Sequence, residues 1–196
     1  MKQFDEVIGK QFGIFHGKDK IVFIKTGRGG SIEGYENKYL NICSMLSERY
    51  GCTFVVSANL VDSQCDLEDE LRQINELVDH YDEIVFVGIS NGALVGAQQC
   101  WKNDRIKNAL LINGPLMINW HKTKKGAEKF SGEEMRFVYG VLDPSYGYVE
   151  ILNLINNSVC TKEILKGEGH NLSYATFEYV LTSFLDERLR IGEKSD

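Results

Sequence analysis

The stretch Ile84-Val85-Phe86-Val87-Gly88-Ile89-Ser90-Asn91-Gly92-Ala93-Leu94-Val95-Gly96 decides how the rest of the chain is read. Its first half is a short, continuous apolar run, the mark of a strand buried on both faces. Its second half is rich in small residues and reads as a helix from Asn91 to Trp101. Gly88, Ser90 and Gly92 form G-x-S-x-G at the junction. With 19 glycines in 196 residues, the pattern arises by chance about 0.1 times per chain of this length, so its setting carries the weight. The setting is strand, tight turn, helix. Such a turn holds the serine in a strained backbone conformation, and glycines two residues before and after it remove Cβ atoms that would clash. The plainer reading is a glycine-rich helix start capped by Ser90.

Outward from this point, apolar runs alternate with helical patterns. Strands are expected at Ile21–Lys25, Thr53–Ser57, Ile84–Gly88, Lys107–Asn113, Met135–Tyr139 and Val159–Leu165. Helices are expected at Glu36–Tyr50, Asp66–Tyr81, Asn91–Trp101, Tyr146–Asn156 and Leu172–Leu189. Phe4–Ile8 and Gln11–His16 read as an opening hairpin around Gly9-Lys10. The alternation predicts an α/β fold: three layers, with about eight strands in a mostly parallel sheet flanked by helices. No composition break divides residues 1–196, so one domain is expected. The polar connector 114–134 has room for only a minimal cap.

The chain is acidic. Lys and Arg number 22 and Asp and Glu 28, a net charge of −6. Nucleic acids and anionic membrane surfaces call for a basic face, and this balance argues against both. No apolar run has the length of a membrane span. The N-terminus carries Asp5 and Glu6 and no signal-type apolar core. Five scattered cysteines (Cys43, Cys52, Cys65, Cys100, Cys160) contain no C-x-x-C pair, which points to reduced thiols in a cytoplasmic protein and to neither disulfides nor a metal site. Cys43 and Cys100 are expected to pack as small hydrophobes.

With Gly88-Ile89-Ser90-Asn91-Gly92 as its nucleophile elbow, the sequence resembles the α/β-hydrolase family over nearly its whole length. The resemblance implies a catalytic order of nucleophile, acid, histidine. Asp143, in Gly140-Val141-Leu142-Asp143-Pro144 after a strand, matches the acid. Asp82 and Asp104 fall at the wrong sheet edge. His170, in Gly167-Glu168-Gly169-His170-Asn171 after the last strand, matches the histidine. His16, His80 and His121 lie in the hairpin, at a helix end and in the connector. The resemblance further implies an oxyanion hole from the backbone amides of Asn91 and Arg28. Arg28 lies in Lys25-Thr26-Gly27-Arg28-Gly29-Gly30-Ser31, where Thr26 stands in place of the histidine common in the family. No dinucleotide or phosphate-loop pattern fits this segment.

The implied activity is a serine hydrolase that cleaves a carboxylic ester or thioester of a small acyl substrate through a covalent acyl-enzyme, with no metal or organic cofactor. Acyl transfer by the same triad, or binding without catalysis on this fold, are the alternatives. Leu116, Met117 and Trp120 either line the substrate site or pack the connector onto the body. Lys122, Lys124, Lys125 and Lys129 read as a solvated basic face. Arg28 is a candidate to bind a substrate carboxylate or phosphate.

Overall fold

The computed structural model describes residues 2–60 and 66–189. Cys65 lies outside them. Among the described residues eight strands form one sheet in the order β1-β2-β4-β3-β5-β6-β7-β8. They are β1 (Glu6–Ile8), β2 (Phe12–Phe15), β3 (Lys20–Lys25), β4 (Thr53–Ser57), β5 (Glu83–Ile89), β6 (Ile106–Ile112), β7 (Glu134–Gly140) and β8 (Cys160–Leu165). β2 is antiparallel to both its neighbours. β3 to β8 run parallel to one another.

Strand alternation splits the core in two. Ile21, Phe23, Val55, Ile84, Phe86, Ala109, Leu111 and Phe137 face one side. They pack against α2 (Leu67–Leu77), α3 (Asn91–Gln99) and α4 (Trp120–Lys129). Val22, Ile24, Phe54, Val56, Val85, Val87, Leu110 and Val138 face the other. These pack against α1 (Lys38–Tyr50) and α5 (Tyr174–Arg188). A strand covered on both faces has no use for polar alternation, which is why the central strands read as unbroken apolar runs. Cys43 and Cys100 are fully buried, as expected, and burial pushes both thiols up. Cys43, Cys52, Cys100 and Cys160 are free.

Two expected helices differ in extent or type. α2 stops at Leu77, where Val78 turns extended (φ −119°, ψ 136°). Tyr81 is nonetheless buried, under the Arg105 guanidinium, so apolar spacing persisted past the helix end. The segment Pro144–Leu154 is a 3-10 run instead of an α-helix. The connector carries a short helix, as its length allows, and α4 lies so close to α3 that a Cβ on Gly126 would stand 2.2 Å from the Ala97 carbonyl oxygen. Among the described residues no helix is long and apolar enough to cross a membrane.

The order 4-3-5 means that the connections from β3 and β5 leave in opposite directions. In open parallel sheets this switch point opens a crevice at the carboxyl ends of the strands. The loop after β3 and the turn after β5 meet there.

Candidate active site

Ser90 occupies the turn between β5 and α3 with φ 52° and ψ −115°, a conformation that costs a non-glycine residue about 1–3 kcal/mol. Two hydrogen bonds hold it there. Ser90 N donates to the Ile112 carbonyl at 2.8 Å, and the Ser90 carbonyl accepts from Leu94 N at 3.1 Å. The flanking glycines are sterically required. A Cβ on Gly88 would lie 2.5 Å from the Gly92 carbonyl oxygen, as the turn's crowding predicts. A Cβ on Gly92 would lie 2.1 Å from the Lys25 carbonyl oxygen, so this glycine also lets β3 approach the helix start.

Three residues distant in the sequence converge at this edge. His170 Nε2 lies 3.0 Å from Ser90 Oγ, and His170 Nδ1 lies 2.5 Å from Asp143 Oδ2. The Asp143 side chain is fully buried while that of His170 is 44% exposed. Asp143 Oδ1 accepts a second bond from Ser145 N at 2.6 Å. With the Asp143 carboxylate held on one side, His170 Nδ1 carries the proton toward it and Nε2 turns its lone pair to the Ser90 hydroxyl. The other described histidines pair elsewhere or lie apart: His16 with Glu6, and His80 with Asp82, at exposed positions.

The loop after β3 approaches Ser90 at Gly27, where a Cβ would stand 3.2 Å from Ser90 Cβ. Arg28, the next residue, has an exposed side chain, and its amide nitrogen is bonded directly to the Gly27 carbonyl carbon. Asn91 is the first residue of α3, so its amide has no partner within the helix ladder. Thr26, which stands where the family commonly has histidine, ties the loop down. Its hydroxyl donates within reach of the Gly30 and Ser57 carbonyls, both at 3.2 Å.

Sequence reasoning missed the loop's other supports. Asn59 donates to the Thr26 carbonyl at 3.2 Å and to Asn91 Oδ1 at 2.9 Å, linking the two loops that meet at Ser90. Beneath them, the fully buried Lys25 ammonium donates to Glu70 Oε1 (2.5 Å), Ser57 Oγ (3.0 Å) and the Ala58 carbonyl (2.7 Å). Burial pushes the Glu70 carboxyl up, against the opposing pull of Lys25. A lysine ending an apolar strand gives no hint in sequence of the acid it will meet 45 residues later.

Of the three residues considered for substrate contact, two are used for packing. Leu116 is 2% exposed, against Ala93, Leu111 and Phe137. Trp120 packs on the same core. Met117 is exposed. Leu116 and Trp120 face the body because α4 is a layer helix, whereas Met117 and Ile118 are left exposed. Lys124 pairs with Glu128, and Lys129 lies over the Trp101 ring, consistent with a solvated face. A groove of about 720 Å³ was not foreseen. Its lining includes Asn171, the residue after His170 in the chain, together with Tyr35, Tyr39, Tyr174, Lys38 and Leu172. Among the described residues no cluster of three or more His, Cys, Asp or Glu side chains is placed to hold a metal ion.

No protein-family model and no curated protein matches the sequence. Solved structures do match. Est1E from Butyrivibrio proteoclasticus superposes with TM-score 0.70 at 14% identity, covering 93% of this chain and 96% of that one. It has also been solved with ferulic acid bound. A monoacylglycerol lipase from Paleococcus ferrophilus gives TM-score 0.68 at 11% identity, covering 92% and 99%. MGS-MChE2, an alpha/beta hydrolase enzyme from the metagenome of lagoon sediments at Mar Chica, Morocco, gives 0.65 at 13%, covering 93% and 98%. At these identities the likeness is one of fold, and the fold of this chain is that of the α/β-hydrolases.

Proposed function

We propose that this chain is a serine hydrolase that cleaves a carboxylic ester or thioester of a small acyl substrate. The observation that carries the reading is the unbroken chain of contacts from Ser90 Oγ through His170 to Asp143, at 3.0 and 2.5 Å. Ser90 Oγ attacks the acyl carbon while His170 Nε2 takes its proton. Asp143 holds the ring and stabilises the imidazolium. The amides of Asn91 and Arg28 receive the negative oxygen of the tetrahedral intermediate, and one such donor is worth about 3–4 kcal/mol of barrier. His170 then protonates the leaving alkoxide or thiolate, and the C–O or C–S bond breaks. Water attacks the resulting acyl-enzyme, giving its proton to His170. The acid departs and Ser90 regains its hydrogen.

The half-exposed His170 and the absence of a cap domain in the connector favour substrates that reach Ser90 from solvent. The tyrosine-lined groove beside Asn171 supports an aryl or otherwise apolar group at one end of the ester. The ferulic acid bound to Est1E fits that chemistry.

The test is labelling with a fluorophosphonate, together with hydrolysis of p-nitrophenyl esters of increasing chain length. Labelling and hydrolysis that both vanish in Ser90→Ala support the proposal. A folded wild type that neither labels nor turns over any ester at neutral pH refutes it.

A further inference from the structure

His170 must be held as well as present. A displacement of about 1 Å at a reacting group is enough to cost about a hundredfold in rate. Its loop, between β8 and α5, lies across the end of β7, and the fit is tight. A Cβ on Gly140 would stand 2.3 Å from the Glu168 carbonyl oxygen, and Leu142 N donates to that same oxygen at 2.8 Å.

One side chain fastens this crossing. Asn113 follows the last residue of β6 and is fully buried, with φ 50°. Asparagine tolerates this left-handed conformation better than most residues. Its Nδ2 donates to the Gly169 carbonyl at 2.8 Å and to the His170 carbonyl at 2.9 Å. Its Oδ1 accepts from Gly140 N at 2.9 Å. Its own amide donates to the Val138 carbonyl at 2.8 Å. The next residue is pinned as well, by Tyr139 Oη donating to the Gly114 carbonyl at 2.8 Å. A single buried amide group thus joins the end of β6, the strand end three residues before Asp143, and the main chain of His170 itself. The bond directions admit only a carboxamide: two carbonyls need donors and one N–H needs an acceptor.

We propose that Asn113 is a positioning residue that sets the His170 imidazole between Asp143 and Ser90. The proposal rests on the hydrolase reading for its catalytic consequence. Asn113 touches neither the nucleophile nor substrate and acts through the backbone of His170. Asp at this position has the same shape and keeps the acceptor for Gly140, but turns a carboxylate oxygen onto two carbonyl oxygens. Ala leaves all three partners unpaired.

The experiment compares Asn113→Asp and Asn113→Ala with Asn108→Ala. Asn108 is a buried asparagine at the opposite end of the same strand, bonded to Glu133. Two readouts are taken well below each variant's melting temperature: kcat and KM for p-nitrophenyl acetate, and the downfield proton resonance of His170 Nδ1–H, assigned by its loss in His170→Ala. Both Asn113 variants are expected to lower kcat about 10- to 100-fold with KM within about twofold, and to lose or shift the resonance. Asn108→Ala is expected to keep both. Wild-type kcat and an unmoved resonance in Asn113→Asp overturn the proposal. So does an equal loss of kcat in Asn108→Ala at equal loss of melting temperature. If Asn113→Ala does not fold, the isosteric Asp variant decides. If the wild type neither hydrolyses esters nor labels at Ser90, the hydrolase reading has failed, and the resonance alone decides whether Asn113 positions His170.

Discussion

The two ends of the sheet use polar side chains for different ends. At the carboxyl ends of the strands, Asn59, Asp143 and His170 bond across loops that are far apart in sequence, and Ser90 is held at a positive φ. Those bonds fix positions. At the amino end of β7, Glu134 is gripped by Arg136, Arg188 and Thr161, and Arg136 reaches on to Glu187. That network clamps α5 to the sheet and touches nothing reactive. The difference teaches that one end carries strain for the sake of geometry while the other supplies stability, so substitutions at the two ends are expected to separate activity from folding.

The sharpest break is at Ser90. Ser90→Ala is expected to lower kcat by about 10⁴-fold or more with little change in melting temperature. Ser90→Gly is expected to be equally inactive yet more stable, by about 1 kcal/mol in urea unfolding, because glycine accepts φ 52° without strain. A loss of stability in Ser90→Gly would contradict the picture of a strained turn.

Lys25 lies at the same end as Ser90 but belongs to the foundation beneath it. Lys25→Met is expected to destabilise the fold by about 3–5 kcal/mol, since it removes the buried cation that faces the buried Glu70 carboxylate. Chemical denaturation measures this, and activity is expected to fall only as the folded fraction falls.

At the far end the effect is smaller and depends on pH. Burial raises the Glu134 carboxyl, but bonds from Arg136, Thr161 and Arg188 outweigh it and hold the group below its ordinary value. A depressed folded-state carboxyl contributes stability above the ordinary carboxylate range and loses it as pH falls through the lowered value. Glu134→Gln is therefore expected to cost about 1–2 kcal/mol at neutral pH, with the gap to wild type closing in acid and kcat unchanged. Urea titrations across pH give the comparison. The smallest effect is expected at the groove. Tyr35→Ala, a change at an exposed side chain, is expected to raise KM about two- to fivefold for aryl esters and leave acetate esters alike.

Much of this molecule was legible as a string of residues. Unbroken apolar runs at Ile21–Ile24, Ile84–Ile89 and Ala109–Ile112 announce strands covered on both faces. Gly88 and Gly92 announce a turn too tight for Cβ atoms. The meeting of Ser90, Asp143 and His170 was foreseen through family resemblance, since spacing alone does not bring together residues up to 80 positions apart. Periodicity did not separate the 3-10 run at Pro144–Leu154 from an α-helix, because both bury a face at nearly the same interval. The sequence left Leu116 and Trp120 open between the substrate site and the body, and packing on the core decides for the body.

Local sequence thus determined the strands, the elbow and the covered faces, all of which follow from steric and hydrophobic rules acting over a few residues. Only the tertiary structure decided that Asn59 would join Asn91, that Lys25 would meet Glu70, and that Asn113 would reach the backbone of His170. A hydrogen bond depends on where its partner finally lies, and no neighbour along the chain records that.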